Sequence, residues 1–123
     1  MLVNLSKTSI EIAINAAVAK HNRTVKVEVK WTKDRFGGSI AHALVNFDGL
    51  RTTVFVEEVD DGEWYVYLDG TLPVFTIDAA SRPRIETPEE VDDLIALMGR
   101  ARDLLASVRA EIERASEIER AAR

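Results

Sequence analysis

The sequence predicts an α+β protein with an N-terminal helix, a five-stranded antiparallel meander and a long C-terminal helix that projects beyond the domain. Both ends of the chain have helical apolar spacing, and the stretch between them alternates apolar and polar residues with turn signals about every 8–12 residues. The 123 residues can form one core. We therefore divide one domain into a helix-plus-sheet part, residues 1–86, and the long helix, residues 87–123.

The first helix is predicted to run from Ser6 to about His21. Ser6 is a favourable N-cap, and Leu5 and Ile10 on either side of it fit a hydrophobic staple. Apolar side chains occur on both sides of this helix, which indicates that both sides are covered, the second by the final helix or by a partner chain. Asn22 is a suitable stop.

Five strands are predicted between the helices, because apolar and polar residues alternate in each segment. Asp48-Gly49 is a strong hairpin signal, and Pro73 indicates an edge position for the last strand. The second and third strands carry apolar residues on both faces. One face can take the first helix, and the other needs a cover from the final helix or a second sheet. The predicted strands cover residues 25–32, 40–47, 50–58, 64–68 and 72–77.

The final helix begins with Thr87 at the N-cap, Pro88 at the first helical position and Glu90 placed to reach back to the cap. Gly99 weakens the helix without ending it. A helix from Thr87 to the end would be about 55 Å long at about 1.5 Å per residue, against a body roughly 30 Å across. Its apolar stripe is wide up to Val108 and then narrows towards a coiled-coil seam.

This narrow stripe is the predicted partner interface. A helix that is longer than its own domain packs its extra length against another surface. A second copy of the chain, in a dimer, is the favoured partner. A long solvated helix, or a helix folded back near Gly99, are the alternatives. The residues assigned to the interface are Leu105, Val108, Ile112, Ala115, Ile118 and Ala122.

Charge is unevenly distributed along the chain. Residues 1–38 hold seven basic and three acidic residues, a net of +4, whereas residues 39–86 hold three and nine, a net of −6. The final helix has a net charge of −3. Such a dipole can orient a partner or a second copy, although pairing of opposite charges between neighbouring strands is the favoured interpretation.

The loop at residues 33–38 is the best candidate contact site outside the final helix. Lys33, Arg35 and Phe36 offer two cations and an aromatic ring, with Trp31 nearby, to stack a base or grip an acidic partner. The chain is acidic, with a pI near 5.1, whereas nucleic-acid modules are usually basic, so nucleic acid is not the favoured partner. An ordinary flexible hairpin loop is the favoured interpretation.

The sequence offers little catalytic or metal chemistry. His21 and His42 are the only histidines, and neither has companions at the spacing of a metal site or a nucleophilic triad. Residues 60–63 lack the spaced ligands of a calcium loop, and no phosphate-binding glycine motif occurs. The chain has no cysteine, which excludes disulfides and thiolate chemistry and agrees with a reducing compartment. We therefore assign no catalytic, cofactor-binding or metal residue.

These observations favour a non-enzymatic interaction protein that self-associates through its C-terminal helix, such as a small adaptor, a chaperone-like, an immunity-like or a phage accessory protein. A nucleic-acid-binding regulator using the basic N-terminal third is one alternative. A small-ligand binder or enzyme, with a site at the sheet face or a subunit interface, is another. We expect a cytoplasmic protein without a membrane role, because no apolar run approaches about 18 residues and the N-terminus lacks signal-peptide features. Eleven arginines against five lysines indicate GC-rich coding in a bacterium or a phage.

Overall fold

The computed structural model describes residues 5–47, 49–59, 63–70, 76–77, 83–84 and 86–121. The protein is α+β, with an N-terminal helix, an antiparallel sheet and a long C-terminal helix, as the sequence predicts. In chain order the elements are α1 (Lys7–His21), β1 (Lys30–Lys33), β2 (Ser39–Phe47), β3 (Leu50–Val59), β4 (Glu63–Asp69), β5 (Thr76–Ile77), β6 (Pro83–Arg84) and α2 (Pro88–Ala121).

Strands β1 to β4 form one antiparallel sheet in which each strand pairs with the next along the chain. Phe47 pairs with Leu50 across the predicted hairpin turn, and Gly49 has a φ of 78°, a value that glycine adopts without strain. Successive side chains point to opposite faces of a strand. The buried face of the sheet carries Ala41, Ala43, Val45, Leu50, Thr52, Val54, Val56 and Trp64.

The predicted five-stranded meander is not confirmed, since the described residues contain four strands in the main sheet. Residues 72–75 of the predicted fifth strand lie outside the described part of the chain. Thr76–Ile77 pairs with Pro83–Arg84 in a separate two-stranded sheet. The first strand is also shorter than predicted. Sheet pairing begins at Lys30, and residues 25–29 lie outside the sheet.

The Asn15 side chain explains why the chain before β1 runs alongside α1. Its Oδ1 accepts from the Val27 N–H at 3.0 Å, and its Nδ2 donates to the Val27 carbonyl at 3.2 Å. One amide on α1 therefore satisfies both backbone groups that a neighbouring strand would otherwise pair. Val25, Val27 and Val29 still pack against the core as partly buried residues.

Both predicted helix starts are confirmed by capping hydrogen bonds. The Ser6 Oγ accepts from the Ser9 N–H at 3.1 Å, and the Thr87 Oγ1 accepts from the Glu90 N–H at 3.2 Å. The Glu90 carboxylate reaches back to the N–H of Glu86, one residue before the cap. Helix α2 continues through Gly99 for 34 residues.

The C-terminal half of α2 packs along α1 in the opposite direction, so the predicted projection beyond the domain is not confirmed. Three side-chain contacts show this direction. As the α1 residue moves towards the start of α1, its partner moves towards the end of α2. The contacts are His21 Nε2 with Ser107 Oγ at 2.9 Å, Lys20 Nζ with Glu111 Oε1 at 2.6 Å and Ser9 Oγ with Glu119 Oε1 at 3.4 Å.

Both helices pack against the same face of the sheet, so α2 does not cover the second face. Its buried apolar residues belong to one cluster with α1 and the sheet. None of them lies in residues 88–96, so the start of α2 is its more exposed end. The buried residues of α2 are Leu97, Ala101, Leu104, Val108, Ile112 and Ser116.

Candidate functional site

The second face of the sheet is covered by no helix or strand in the described part of the chain. Leu44 is 53% exposed and Tyr65 is 59% exposed, although both lie within strands. Isolated exposed apolar residues are ordinary, whereas a contiguous exposed apolar patch marks a contact site. We call this surface the open face and define it by Lys30, Thr32, Ile40, His42, Leu44, Asn46, Arg51, Thr53, Phe55, Glu57, Val59, Glu63, Tyr65, Tyr67 and Asp69.

A row of rings crosses the open face perpendicular to the strands. The strand registers pair Lys30 with His42, His42 with Phe55, and Phe55 with Tyr67. The His42 and Phe55 rings are stacked with centroids 5.9 Å apart, and the Phe55 and Tyr67 rings are stacked at 5.0 Å. Tyr65 adds a tilted ring 5.6 Å from Tyr67. These are favourable aromatic separations, so the row is preorganised without a partner.

Charge on the open face differs between its two edges. Lys30 lies on β1, at one edge of the sheet. Residues 1–38, which include β1, have a net charge of +4. Glu63 and Asp69 lie on β4, with Glu57 on the neighbouring strand. The two opposite edges therefore carry opposite charge, with the rings between them.

Tyr67 is the one described residue whose pKa is perturbed, and it lies at the acidic edge. Partial burial raises its pKa above the ordinary 10.0, and the nearby negative charge of Glu57 raises it further. The Tyr67 hydroxyl donates to Glu57 Oε2 at 3.3 Å, which also favours the protonated phenol. Asp69 and Tyr65 make smaller contributions in the same direction.

The residues predicted as a helical interface are divided between core and surface. Val108 is fully buried and Ile112 is 2% exposed, both within the chain's own core. Leu105 and Ala115 are half-buried, and Ile118 is 61% exposed. Ala122 lies outside the described residues. The structure therefore does not bring the five described residues together on one accessible surface.

The predicted contact loop forms a hydrogen-bonded turn between β1 and β2. Asp34 Oδ1 accepts from the N–H groups of Phe36 and Gly38, each at 2.8 Å. Lys33 and Arg35 are exposed, and Phe36 is 88% exposed at the tip with the Arg35 guanidinium 5.8 Å from its ring centre. The turn displays the three predicted side chains to solvent, at the end of the sheet and apart from the ring row.

A cleft of about 960 Å³ runs between β4 and α2. Its walls are mainly apolar, from Trp64, Val66, Leu68, Met98 and Leu105, with Arg102 and Arg109 along its α2 side. Tyr65, Tyr67 and Asp69 also line the cleft, so with Arg102 and Arg109 five titratable residues border it. Within the described residues, no group of three or more metal-ligating side chains is placed to hold a metal ion.

Comparison of the chain with protein-family models, curated proteins and solved structures finds no match. Among the described residues, no helix combines the length and apolar character needed to cross a membrane. The surfaces of the chain itself are therefore the basis for proposing a function.

The ring row is the feature that the sequence prediction missed, although the sequence contains a signal for it. A two-residue turn at Asp48-Gly49 pairs residue 47 with residue 50, and the same register pairs His42 with Phe55. Applying that register along the hairpin places both rings on the face opposite Ala41 and Ala43. Extending the row to Tyr67 requires the register across residues 60–62, which the sequence alone does not specify.

Proposed function

We propose that this protein is a non-enzymatic interaction protein that self-associates through the open face of its sheet. The observation that carries the proposal is the stacked row of His42, Phe55 and Tyr67 beside the exposed Leu44. Aromatic side chains give large contact areas at low entropic cost and are enriched in protein interfaces. A reducing cytoplasmic setting agrees with the absence of cysteine.

The proposed surface is the sheet and not α2, because α2 already uses its seam inside the molecule. Val108, Ile112 and Ser116 are buried against the chain's own core. These side chains would have to leave α1 and the sheet before they reached a partner, at a cost of roughly 2–5 kcal/mol for a large apolar residue. The open face needs no such rearrangement.

The size of the open face predicts a modest affinity. Four strands about 4.8 Å apart and about seven residues long cover roughly 450 Å² in projection per protomer. Two protomers would thus bury about 900 Å², at the lower limit for a specific interface. We therefore expect a dimer with a micromolar dissociation constant, populated at high protein concentration.

Multi-angle light scattering over a range of concentrations tests this proposal. The wild-type chain should approach twice its 13.7 kDa mass, whereas Leu44→Glu, which places a charge beside the ring row, should remain a monomer. The matched control is Ile12→Glu, at a position 65% exposed on α1, which should dimerise like the wild type. Circular dichroism should show that both variants fold.

Two outcomes would overturn self-association through this face. One is a wild-type chain that remains a monomer at every concentration, and the other is loss of the dimer in Ile12→Glu but not in Leu44→Glu. Stacked rings also suit single-stranded nucleic acid, but Glu57, Glu63 and Asp69 oppose phosphate on this face. Fluorescence anisotropy with a single-stranded oligonucleotide at low salt would reveal that occupant in place of a second copy.

A further inference from the structure

We propose that the second copy docks with a two-fold axis parallel to the strands, so that β1 of each protomer lies over β4 of its partner. This inference rests on the self-association proposed above and specifies which residues meet. It follows from the order of four side chains across the open face, which is Lys30, His42, Phe55 and Tyr67.

A two-fold axis along the strands reverses the strand order of one sheet relative to the other. Strand β1 then faces β4, and β2 faces β3, with the two sheets about 10 Å apart. Along the ring row, His42 meets the partner's Phe55, and Lys30 meets the partner's Tyr67. The row therefore complements a reversed copy of itself, with rings against rings in the centre and a cation against an aromatic ring at each end.

The contact at each end of the row is chemically favourable. The Lys30 ammonium would lie over the partner's Tyr67, whose ring face attracts cations. The partner's Glu57 is hydrogen-bonded to that tyrosine and adds a negative charge at the same place. The interface thus has an apolar centre and a charged rim, as specific protein interfaces do.

The alternative two-fold axis, across the strands, is disfavoured by charge. It would place β1 over the partner's β1 and β3 over the partner's β3. With the axis along the ring row, Lys30 would then lie against the partner's Lys30, and β4, with Glu63 and Asp69, would lie over the partner's β4. Like charges in contact across an interface are repulsive, so the positive and negative edges of the sheet select the axis along the strands.

Charge reversal at Lys30 and Glu57, followed by mixing of the variants, tests the arrangement. Lys30→Glu would lie over the partner's Tyr67, close to the partner's Glu57 that bonds that tyrosine, and Glu57→Lys would lie close to the partner's Lys30. Each variant alone should dimerise about tenfold more weakly, because the symmetric interface contains each repulsive contact twice. Mixed in equal amounts, the two variants should form a heterodimer about as tight as the wild type, since both facing pairs again have opposite charge.

The matched controls are Arg114→Glu and Glu113→Lys, two exposed positions on α2 that make the same changes of charge away from the sheet. Sedimentation velocity should give wild-type dissociation constants for both controls and no gain on mixing them. Thermal melting should show that Lys30→Glu and Glu57→Lys fold, as expected for side chains on the solvent side of the sheet.

The outcomes separate this inference from the proposed function. If the wild type dimerises and Leu44→Glu does not, but Lys30→Glu and Glu57→Lys both dimerise like the wild type, the strand-parallel axis is overturned and the open face remains the interface. The same conclusion holds if both variants are weakened but their mixture is not restored. If the wild-type chain is a monomer at every concentration, both proposals fail.

Discussion

Asn15 joins helix α1 to the segment that leads into β1. It bonds both backbone groups of Val27 and donates to the Glu11 carbonyl at 3.1 Å. Because these bonds position the segment leading into β1, they also position Lys30 at the edge of the open face. Nothing in local sequence pattern announces this role, since asparagine in a helix is usually a solvent-facing residue of low helix propensity.

Replacing Asn15 with alanine should lower the free energy of unfolding by about 2 kcal/mol, because the N–H and the carbonyl of Val27 both lose their partner. Urea denaturation followed by circular dichroism measures the change. Asn46→Ala, the same substitution at an exposed strand position, is the control and should stay within about 0.5 kcal/mol of the wild type. If both substitutions changed the free energy of unfolding equally, the hydrogen bonds to Val27 would contribute no net stability.

Tyr67 provides a pH-dependent readout of the open face. Burial and the charge of Glu57 raise its pKa in the folded protein, so the folded state holds the phenol proton more tightly than the unfolded state. The associated stability is fully present below pH 10 and is lost as the pH rises through 10 towards the raised pKa. Partial burial remains in Glu57→Gln, so this variant should lower the pKa of Tyr67 only part of the way to 10.0.

Ultraviolet difference absorbance during an alkaline titration measures this pKa. Tyr65 is the only other tyrosine in the sequence, so Tyr65→Phe leaves one titrating phenol and assigns the signal. An identical Tyr67 pKa in Tyr65→Phe with and without Glu57→Gln would contradict the hydrogen bond and charge contact between Glu57 and Tyr67.

At the level of secondary structure, the sequence predicts most elements well because their signals are local. Ser6 and Thr87 cap the helices where predicted, and the Asp48-Gly49 signal sets the β2–β3 register. The partner of a helical stripe is not local information. An apolar seam on α2 has the same pattern whether it packs on a second copy or on α1, so the sequence cannot distinguish the two.

Substitution of Ile112 tests whether the apolar seam of α2 packs in the chain's own core or against a second copy. Ile112→Ala should destabilise the monomer by about 2–4 kcal/mol, because it leaves a cavity between α2 and the remaining core. Ile118→Ala, an identical change at a position 61% exposed, should change stability by less than about 0.5 kcal/mol. Denaturation of dilute protein measures both. Loss of dimer without loss of monomer stability in Ile112→Ala would restore the helical interface that the sequence predicts.

At the scale of the whole molecule, two helices lie on one face of a four-stranded sheet, and no helix or strand of the described residues covers the other face. The apolar residues on both faces of β2 and β3 predict a cover for the second face, whereas Leu44 and Tyr65 are exposed there and no described helix or strand covers them. What the sequence could not provide is the side on which α2 lies, because that depends on its contacts with α1. Once α2 shares a face with α1, the open face keeps exposed apolar and aromatic side chains that no described helix or strand covers.

Isotope-filtered NMR on an equal mixture of labelled and unlabelled protein tests the central claim most directly. Its nuclear Overhauser effects arise only between protons of different copies. We predict intermolecular effects that join the rings of His42, Phe55 and Tyr67, with His42 of one copy close to Phe55 of the other. Intermolecular effects confined to α2 residues such as Ala115 and Ile118, with none from the ring row, would contradict the account.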